Sequence, residues 1–267
     1  MNFPKVSIIT VVYNDVQNIE KTLKNTLSQS YRNLEYIVID GGSTDGTVDV
    51  IKRYDSHIIW KSEPDRGIYD AMMKGVNLAS GEWILFRNSG DLFYNDLVIE
   101  RVFSAYEDKG EAFIAGDIRY LKGDSYKDVR PNILSCDYFD AMPFHHPSTF
   151  IRKRIQLEFP LDLKYKNSAD YKFFIQSLNA GMTYCYINML VAVFDANYGA
   201  STSNYILSLK ENIDILSSLG APCKSVNKRK NMLKKEMLKK KISCIPLLSI
   251  LIEKYTMMRG QWQKKSF

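Results

Sequence analysis

Short apolar runs alternate along the first third of the chain with segments of helical spacing. The runs predict buried strands at VSIITVVYN (6–14), LEYIVID (34–40), HIIW (57–60) and WILF (83–86). The segments between them predict helices over residues 15–27, 48–54 and 68–79. This alternation predicts βαβ units, and hence an α/β fold whose mostly parallel central sheet is flanked by helices.

The pattern is looser after Gly110. Two further strands are predicted within AFIAGDIRY (112–120) and VAVFD (191–195), and a helix within DYKFFIQSLNAG (170–181). The chain then becomes helical by pattern, first over residues 204–220 and afterwards through a lysine-rich tail. The composition, 45% hydrophobic and 25% charged, is ordinary for a globular protein.

The stretch WILFRNSGD (83–91) ends a buried strand in a polar turn. Asn88, Ser89 and Gly90 are turn formers, so Asp91 follows at the carboxyl end of a central strand. Ligands collect at that edge of open α/β sheets, and a carboxylate there suits a divalent cation that holds phosphate oxygens. The competing interpretation is that Asp91 caps a helix predicted over DLFYNDLVIERVF (91–103).

The first two strands bring polar groups to the same edge. Thr10 and Tyr13 lie near the end of the first strand, and Asp40, followed by two glycines, ends the second. The carboxylate of Asp40 can accept the imide N–H of uracil while the ring of Tyr13 covers the base. The alternative is that Asp40 serves only an Asp-Gly turn.

The loops after the second and third strands differ in what they offer a ligand. GGSTDGT (41–47) lacks the spacing of a P-loop and of the dinucleotide-binding fingerprint. In the turn EPDRG, Arg66 can pair with a phosphate or stack on a base, and Asp65 can touch the ribose or the uracil edge. Each is also typical of a solvated turn.

Two candidates come from the second half of the chain. Asp170 falls in the first turn of its predicted helix, where the helix dipole favours a carboxylate that can accept a proton. Such residues are also common for structural reasons alone. One of the paired histidines in the loop MPFHHPST is a candidate contact to a phosphate or sugar, and we assign His146 to the acceptor; a structural histidine is the alternative.

Charge is divided unevenly between the body and the tail. Residues 222–267 carry 13 Lys and Arg against 2 Asp and Glu, whereas the residues before them carry 23 basic and 28 acidic side chains. A mildly acidic body with a strongly basic tail indicates an anionic partner, either membrane lipid or nucleic acid. We find no signal sequence, no apolar run long enough for a membrane span and no paired cysteine motif, so we expect a reducing, cytoplasmic setting.

Taken in order, six segments resemble the inverting family-2 glycosyltransferases with the GT-A fold, of the bacterial polysaccharide-assembly type. They are PKVSIITVVYN, LSQSYRNLEYIVIDGGSTDGT, SEPDRGIYDAMMKGVNLASGEWILFRNSGD, the HHPSTF loop, SADYKFFIQSLNAG and VAVFDANYGAST, which together span about residues 3–203. The resemblance implies a Rossmann-like GT-A domain over residues 1–205, with a nucleotide-sugar-binding half (1–110) and an acceptor half (111–205). A helical, basic extension (206–267) follows.

The resemblance also assigns roles to individual residues. It implies that the donor nucleotide contacts a set of residues at this sheet edge, to which we add a serine of the NSGD turn: Thr10, Tyr13, Asp40, Asp65, Arg66 and Ser89. Asp91 matches the last carboxylate of the DxD-type motif, which holds Mn²⁺ or Mg²⁺ against the diphosphate, and Asp170 matches the catalytic base. Gly90 stands where many members carry the first Asp of that motif, so we expect weak or donor-dependent metal binding. Ala169 replaces the acidic residue that often precedes the base.

The implied activity is metal-dependent transfer of a sugar, with inversion, from a nucleotide sugar to a sugar hydroxyl. We expect a UDP-sugar donor and a growing, lipid-linked surface polysaccharide as acceptor. The alternative is a non-enzymatic module that binds a nucleotide sugar or a nucleic acid through the basic tail, although the net negative body disfavours a nucleic-acid groove. A nucleotidyltransferase would need a Gly-rich loop with basic residues near the N-terminus, which is absent from the sequence.

The tail combines a basic block (224–241) with ISCIPLLSILIEKYTMMRGQW (242–262). Basic residues beside apolar ones are typical of a segment that lies on an anionic membrane. We therefore expect a cytoplasmic protein bound peripherally to the inner face of the plasma membrane. The alternative is a solvated helix that packs on its own domain or on a second subunit, which leaves a homodimer open.

Overall fold

The computed structural model describes residues 3–195, 204–243 and 263–264. The strands in these ranges are β1 (Val6–Val12), β2 (Leu34–Asp40), β3 (Ile59–Ser62), β4 (Trp83–Phe86), β5 (Leu92–Phe93), β6 (Phe113–Lys122), β7 (Ser125–Val129), β8 (Thr149–Arg152), β9 (Tyr184–Asp195) and β10 (Gln263–Lys264). The helices are α1 (Ile19–Leu27), α2 (Thr47–Lys52), α3 (Ile68–Leu78), α4 (Val98–Ala105), α5 (Lys153–Glu158), α6 (Ala169–Asn179), α7 (Tyr205–Ser218) and α8 (Cys223–Ser243). Short 3₁₀ turns occur at Asp55–His57, Asn132–Leu134 and His146–Ser148.

One sheet runs through the described chain in the order β10-β7-β6-β8-β4-β1-β2-β3. Its N-terminal half, β3-β2-β1-β4, is parallel, as the alternation of strands and helices predicts. Beyond β4 the sheet is mixed: β8 is antiparallel to both β4 and β6, and β9 adds to β6 in parallel. The α/β architecture is therefore confirmed, with a smaller parallel share than the sequence pattern suggests.

Strand β1 lies at the centre of the parallel half, and all seven of its residues are buried. Its side chains alternate between two apolar layers: Ile9 packs in the cluster that includes residues of α3 and α6, and Ile8 in the cluster that includes residues of α1 and α4. The first layer is tightly packed, since a Cβ added to Gly75 of α3 would lie 2.3 Å from Cγ2 of Ile9. Helices on both faces thus leave the carboxyl ends of these strands as the open edge.

The structure corrects one predicted element next to that edge. No helix begins at Asp91, because Leu92–Phe93 forms β5 on β9 and α4 begins only at Val98. The helix-capping role considered for Asp91 is therefore wrong. Strands β5, β7 and β8 are absent from the sequence-based prediction, since they are short and are stabilised by partners distant in sequence.

The predicted C-terminal helices are confirmed as α7 and α8. Residues 196–203 and 244–262, which include all of ANYGAST and most of the apolar part of the tail, lie outside the described residues. Ile215 and Leu216 of α7 belong to the same buried cluster as α3 and α6, while the predicted division of the chain at residue 205 stays a prediction. Among the helices in the described ranges, none combines the length and the apolar character that a bilayer crossing requires.

Candidate active site

The backbone at Gly41 forms a narrow cradle directly after β2. A Cβ added there would lie 2.5 Å from Oδ2 of Asp65 and 3.3 Å from Cδ2 of Tyr13, so only glycine fits between these two side chains. Tyr13 is 64% exposed, which leaves its ring available to a ligand. The structure thus brings two predicted donor contacts, Tyr13 and Asp65, together around one backbone position.

Asp40 lies under this cradle and is fully buried. Its carboxylate accepts hydrogen bonds from the backbone N–H groups of Gly42 and Ser43, at 3.0 and 2.9 Å, and from the hydroxyls of Ser43 and Ser62. The turn chemistry considered for Asp40 is therefore present. Its contact to uracil stays a prediction, since the donors seen here already organise the loop that forms the cradle.

Thr10 and Arg66 are placed differently from the other donor candidates. Thr10 is fully buried, and its hydroxyl pairs with that of Tyr36 at 2.9 Å, so it does not line the open edge. The side chain of Thr10 is thus a core contact, and the role of this position in binding uridine stays a prediction. The guanidinium of Arg66 is 74% exposed and donates to Oδ1 of Asp70 at 2.8 Å, on the outer side of the EPDRG turn.

The NSGD turn after β4 is tied to the end of β1. The hydroxyl of Ser89 donates to Oδ2 of Asp15 at 2.7 Å, and the backbone N–H of Ser89 donates to the carbonyl of Val11 at 3.2 Å. Gly90 has a φ of +94°, a backbone conformation that disfavours other residues. Asp91 closes the turn by accepting the N–H of Asn88 at 3.1 Å, and its side chain is buried.

A buried cation, Arg87, lies beside Asp91 and is missing from the sequence-based site. Its side chain is fully buried; Nη1 donates to the carbonyl of Leu92 at 2.9 Å, and the guanidinium lies 3.9 Å from the centre of the Phe93 ring. Its Nε and Nη2 have no partner among the described residues. A basic residue at the end of an apolar strand was the available signal.

Burial dominates the electrostatics of this turn. It raises the pKa of Asp91 to about 7, although the charge of Arg87 and the N–H of Asn88 act in the opposite direction. It also lowers the pKa of Arg87 to about 10, so this side chain stays charged at neutral pH. Asp91 is therefore a carboxylate whose ionised form needs nearby positive charge.

The oxygen atoms of the NSGD turn are of the kind that a hard divalent cation prefers, but they are few. Oδ1 of Asn88 is buried and has no hydrogen-bond donor among the described residues, which leaves an amide oxygen available in the same turn as the carboxylate of Asp91. Carboxylate and amide oxygens are the ligands that Mg²⁺ and Mn²⁺ prefer. No group of three or more His, Cys, Asp or Glu side chains suited to a metal occurs in the described chain. A cation here would therefore need further oxygens from a ligand.

The acceptor half supplies Asp170, the second residue of α6 and thus a first-turn carboxylate, as predicted. The hydroxyl of Tyr69, on α3, donates to its Oδ1 at 2.9 Å, and the N–H of Tyr171 donates to the same oxygen at 2.9 Å. Burial raises the pKa of Asp170 to about 6, against the effect of these hydrogen bonds. At neutral pH the group is thus ionised, with a proton affinity suited to a general base.

His146, predicted to contact the acceptor, lies beside Asp170. Its contact to an acceptor stays a prediction. Only 8% of the residue is exposed, and its ring packs 4.7 Å from that of Phe86 and 5.7 Å from that of Phe174. Nδ1 lies 3.9 Å from Oδ2 of Asp170. Burial lowers the pKa of His146 to about 3, so the imidazole is neutral at pH 7.

Glu211 of α7 is a further residue that the sequence analysis missed. Its buried carboxylate accepts the backbone N–H groups of Lys166 and Asn167, at 2.8 and 2.9 Å, just before α6 begins. Its charge also contributes to raising the pKa of Asp170. An acidic residue one helical turn before the buried Ile215 was the signal, because that spacing puts it on the inner face of the helix.

The parallel half of the sheet carries the Gly41 cradle and the NSGD turn at its open edge, and helix α6 adds the half-buried carboxylate of Asp170. This architecture is that of a GT-A fold, which the solved structures described below share. The sequence profile of glycosyl transferase family 2 matches residues 7–158. The chain therefore belongs to glycosyl transferase family 2.

Three relatives illustrate where the similarity lies. An uncharacterized glycosyltransferase of Mycobacterium tuberculosis is 40% identical over 109 residues, which are 40% of this chain and 42% of that protein. A PGL/p-HBAD biosynthesis glycosyltransferase of Mycobacterium bovis is 27% identical over 76% of this chain and 81% of its own length. A UDP-Glc:alpha-D-GlcNAc-diphosphoundecaprenol beta-1,3-glucosyltransferase of Escherichia coli is 26% identical over 80% of this chain and 86% of its own. The match thus spans less than half of the first relative.

Two solved structures share the fold of this chain, although their sequence identity to it is low. A mannosyltransferase from Pyrobaculum calidifontis, in complex with GDP-Man and Mn²⁺, has a TM-score of 0.68 at 16% identity and covers 98% of this chain and 82% of its own. TarS of S. aureus, in complex with UDP, has a TM-score of 0.63 at 17% identity and covers 84% of this chain and 68% of its own. These similarities concern the fold alone.

Proposed function

We propose that the protein transfers a sugar from a nucleotide sugar, with inversion, to a hydroxyl group of a saccharide acceptor. The observation that carries the proposal is Asp170, a half-buried first-turn carboxylate that accepts the Tyr69 hydroxyl and whose pKa is raised to about 6 by desolvation. It lies on α6, between β8 and β9 of the mixed half of the sheet along the chain, whereas the Gly41 cradle follows β2 of the parallel half. A donor held at the cradle and a base on α6 are the two parts that a single displacement needs.

The proposed reaction is one displacement at the anomeric carbon. The acceptor oxygen forms a bond to that carbon as the bond to the diphosphate oxygen breaks, so the configuration inverts and a nucleoside diphosphate leaves. Asp170 takes the proton of the attacking hydroxyl. Because the base acts on the acceptor and not on the sugar carbon, no covalent glycosyl-enzyme is formed.

Asp91, with the amide oxygen of Asn88, is the group that would hold Mn²⁺ or Mg²⁺. When bound, such a cation neutralises the charge of the leaving diphosphate as a Lewis acid. Arg87 supplies a fixed positive charge beneath the same turn. We infer that this buried charge limits how strongly Asp91 attracts a second cation, in line with the weak metal binding expected from Gly90.

We propose UDP as the nucleotide of the donor. The exposed aromatic face of Tyr13 suits a uracil ring, and the carboxylate of Asp65 beside it can accept N–H or ribose hydroxyl groups. Asp40, fully buried beneath them, holds the loop that forms the cradle. The Escherichia coli relative carries UDP-Glc in its name, and TarS of S. aureus is described with UDP and UDP-GlcNAc. A guanine nucleotide, as in the Pyrobaculum calidifontis complex, is the competitor for the test.

We further propose a lipid-linked acceptor and peripheral attachment at the cytoplasmic face of the plasma membrane. The Escherichia coli relative is named for a diphosphoundecaprenol-linked acceptor. In α8 the residues after Arg229 include exposed lysines and the exposed apolar side chains of Met237 and Leu238. Basic and apolar groups together favour an anionic lipid surface. The start of α8 packs on the body: the side chains of Ser225 and Lys228 donate hydrogen bonds to the carboxylate of Asp140, at 2.7 and 3.0 Å.

The test measures release of nucleoside diphosphate from a panel of UDP- and GDP-sugars, with and without Mn²⁺ and with crude lipid-linked acceptors. We expect Asp170→Asn to lower kcat by about 10²- to 10⁴-fold with little change in donor KM, because only proton removal is lost. Asp91→Ala should remove the stimulation by Mn²⁺. Asp49→Asn is the matched control, since this carboxylate is 81% exposed and pairs only with Lys52 among its described contacts.

Three results would contradict the proposal. No release of a nucleoside diphosphate from any sugar nucleotide would exclude the transferase reaction. Preferential use of GDP-sugars would overturn the assignment of UDP. Near wild-type turnover by Asp170→Asn would remove Asp170 as the base.

A further inference from the structure

The first turn of α3 touches both halves of the site. On its outer side, Asp70 pairs with Arg66 of the EPDRG segment, which also carries Asp65. On its inner side, the hydroxyl of Tyr69 reaches across the sheet edge to Oδ1 of Asp170, 101 residues further along the chain, at 2.9 Å. Tyr69 is only 7% exposed. Water therefore has little access to this residue as an alternative partner for its hydroxyl.

The carboxylate of Asp170 is held from one side. Oδ1 accepts both the Tyr69 hydroxyl and the N–H of Tyr171, whereas Oδ2 faces Nδ1 of His146 at 3.9 Å. Two donors on one oxygen fix the rotation of the carboxylate about its Cβ–Cγ bond. The second oxygen is then the one presented for a proton.

We propose that Tyr69 is a positioning residue for Asp170, which aims the second carboxylate oxygen at the attacking hydroxyl of the acceptor. The inference rests on the proposed function, in which Asp170 is the base. A general base must lie within hydrogen-bond reach of the proton it removes, and displacements of about 1 Å can cost about 10²-fold in rate. The ring of Tyr69 packs in the core cluster, and this packing fixes the position of its hydroxyl.

The hydrogen bond from Tyr69 affects the pKa of Asp170, so its contribution can be measured from the pH dependence of activity. Tyr69 on α3 stays protonated, because burial and then the charge of Asp170 raise its pKa well above the usual value. His146 is neutral, and Glu211 on α7 adds negative charge. The Tyr69 hydroxyl lowers the pKa of Asp170 against burial, and so do the backbone N–H groups of Tyr171 and of Asp170 itself. Loss of the hydroxyl raises this pKa further.

The test is Tyr69→Phe, which removes the hydroxyl and keeps the ring. We expect kcat to fall by about tenfold or more while donor KM stays within twofold, because the donor cradle is untouched. The acidic limb of the pH profile of kcat/KM, which should lie near pH 6 in the wild type, moves to higher pH. The loss is therefore larger at pH 6 than at pH 8.

Tyr31→Phe is the matched control. Tyr31 is equally buried, at 4% exposure, and its hydroxyl donates to the carbonyl of Pro4 at 2.6 Å, away from the open edge. This variant should keep the wild-type pH profile. UDP-induced thermal shifts of both variants establish that the fold and the donor site are intact.

A second comparison separates positioning from a general structural effect. If Tyr69 acts through Asp170, Tyr69→Phe should cost little in the Asp170→Asn background, where no carboxylate remains to be aimed. An unshifted acidic limb, or an equal loss in both backgrounds, would overturn the inference. Near wild-type activity of Asp170→Asn itself would instead overturn the assignment of the base, and hence the proposed function.

Discussion

Two aspartates of the site show how one residue type acquires two roles from its surroundings. Asp170 is held by hydroxyl and amide donors and keeps a raised pKa, as suits proton transfer. Asp91 lies in a tight turn beside a buried guanidinium and an unpaired amide oxygen, as suits a cation and phosphate oxygens. The two side chains are chemically identical, so their different roles come from the groups around them.

Gly90 is the residue at which metal binding can be strengthened. A Cβ at this position meets no atom within 4 Å, so the cost of a side chain is backbone strain at φ +94°, about 1–2 kcal/mol of stability. Gly90→Asp supplies a second carboxylate next to Asp91. We expect the Mn²⁺ concentration for half-maximal turnover to fall and the Tm to decrease.

Gly90→Ala is the control for strain alone. It should show the same decrease in Tm without the gain in Mn²⁺ affinity. An unchanged Mn²⁺ requirement in Gly90→Asp would contradict the placement of the cation at this turn.

At the scale of elements, the site depends on how strand ends and helix starts are joined. The NSGD turn is tied to β1 through Ser89 and Asp15, while Glu211 of α7 holds the segment that leads into α6. At the opposite edge of the sheet, Glu35 of β2 joins β1 to the turn after α3. Its carboxylate accepts hydrogen bonds from Ser7, Ser80 and Lys5.

Glu35 should therefore contribute stability that depends on pH. Burial opposes its ionisation, but the hydrogen bonds from Ser80, Ser7 and Lys5 lower its pKa from 4.5 to about 2. A lowered pKa in the folded state stabilises the fold above about pH 4.5, and this contribution is lost as the pH falls through about 2. Allowing for solvent screening, we expect Glu35→Gln to cost about 1–3 kcal/mol at pH 7.

Urea unfolding at pH 7, 4 and 2.5 measures this contribution. The stability difference between wild type and Glu35→Gln should shrink toward low pH. Glu107→Gln, at a carboxylate that is 85% exposed, should leave stability unchanged at every pH. A difference for Glu35→Gln that is constant with pH would assign the effect to packing instead.

At the scale of the whole molecule, an acidic body carries a basic helix. Residues 222–267 hold 13 Lys and Arg against 2 Asp and Glu. The first turns of α8 pack on the body through Asp140 and through Arg229, whose guanidinium lies 5.5 Å from the centre of the Tyr171 ring. The alternative of packing on its own domain thus holds for the start of this helix. Further along it, Lys230, Lys234, Lys235, Lys239 and Lys240 lie at the surface.

Liposome flotation tests the proposed membrane attachment. We expect binding to anionic vesicles that weakens with salt, and little binding to neutral vesicles, since each basic residue near the surface contributes about 1 kcal/mol. Replacing Lys234, Lys235, Lys239 and Lys240 with Gln should reduce binding and leave turnover of a water-soluble acceptor unchanged. Equal failure of the wild type to bind either vesicle would contradict the proposal.

Much of the fold was predictable because its signals are local. The apolar runs of β1, β2 and β4, and the helical spacing of α1 and α3, depend on neighbouring residues only. The same local signals, with the order of the motifs, indicated the GT-A fold and located Asp170 in the first turn of a helix. Hydrophobic periodicity thus determines the order of elements and the edge to which their ends point.

The remaining features depend on contacts between residues far apart in the chain. The sequence pattern does not show which partners these residues meet: Tyr36 at Thr10, Asp170 at His146, and the NSGD turn at Arg87. The hydrogen bond from Tyr69 to Asp170 joins residues 101 positions apart in the chain. From the helical spacing of α3 alone, Tyr69 would be taken for an ordinary core residue. Local propensity selects the elements, but packing at the end of folding selects which polar groups face one another, and that pairing sets their pKa values and their chemistry.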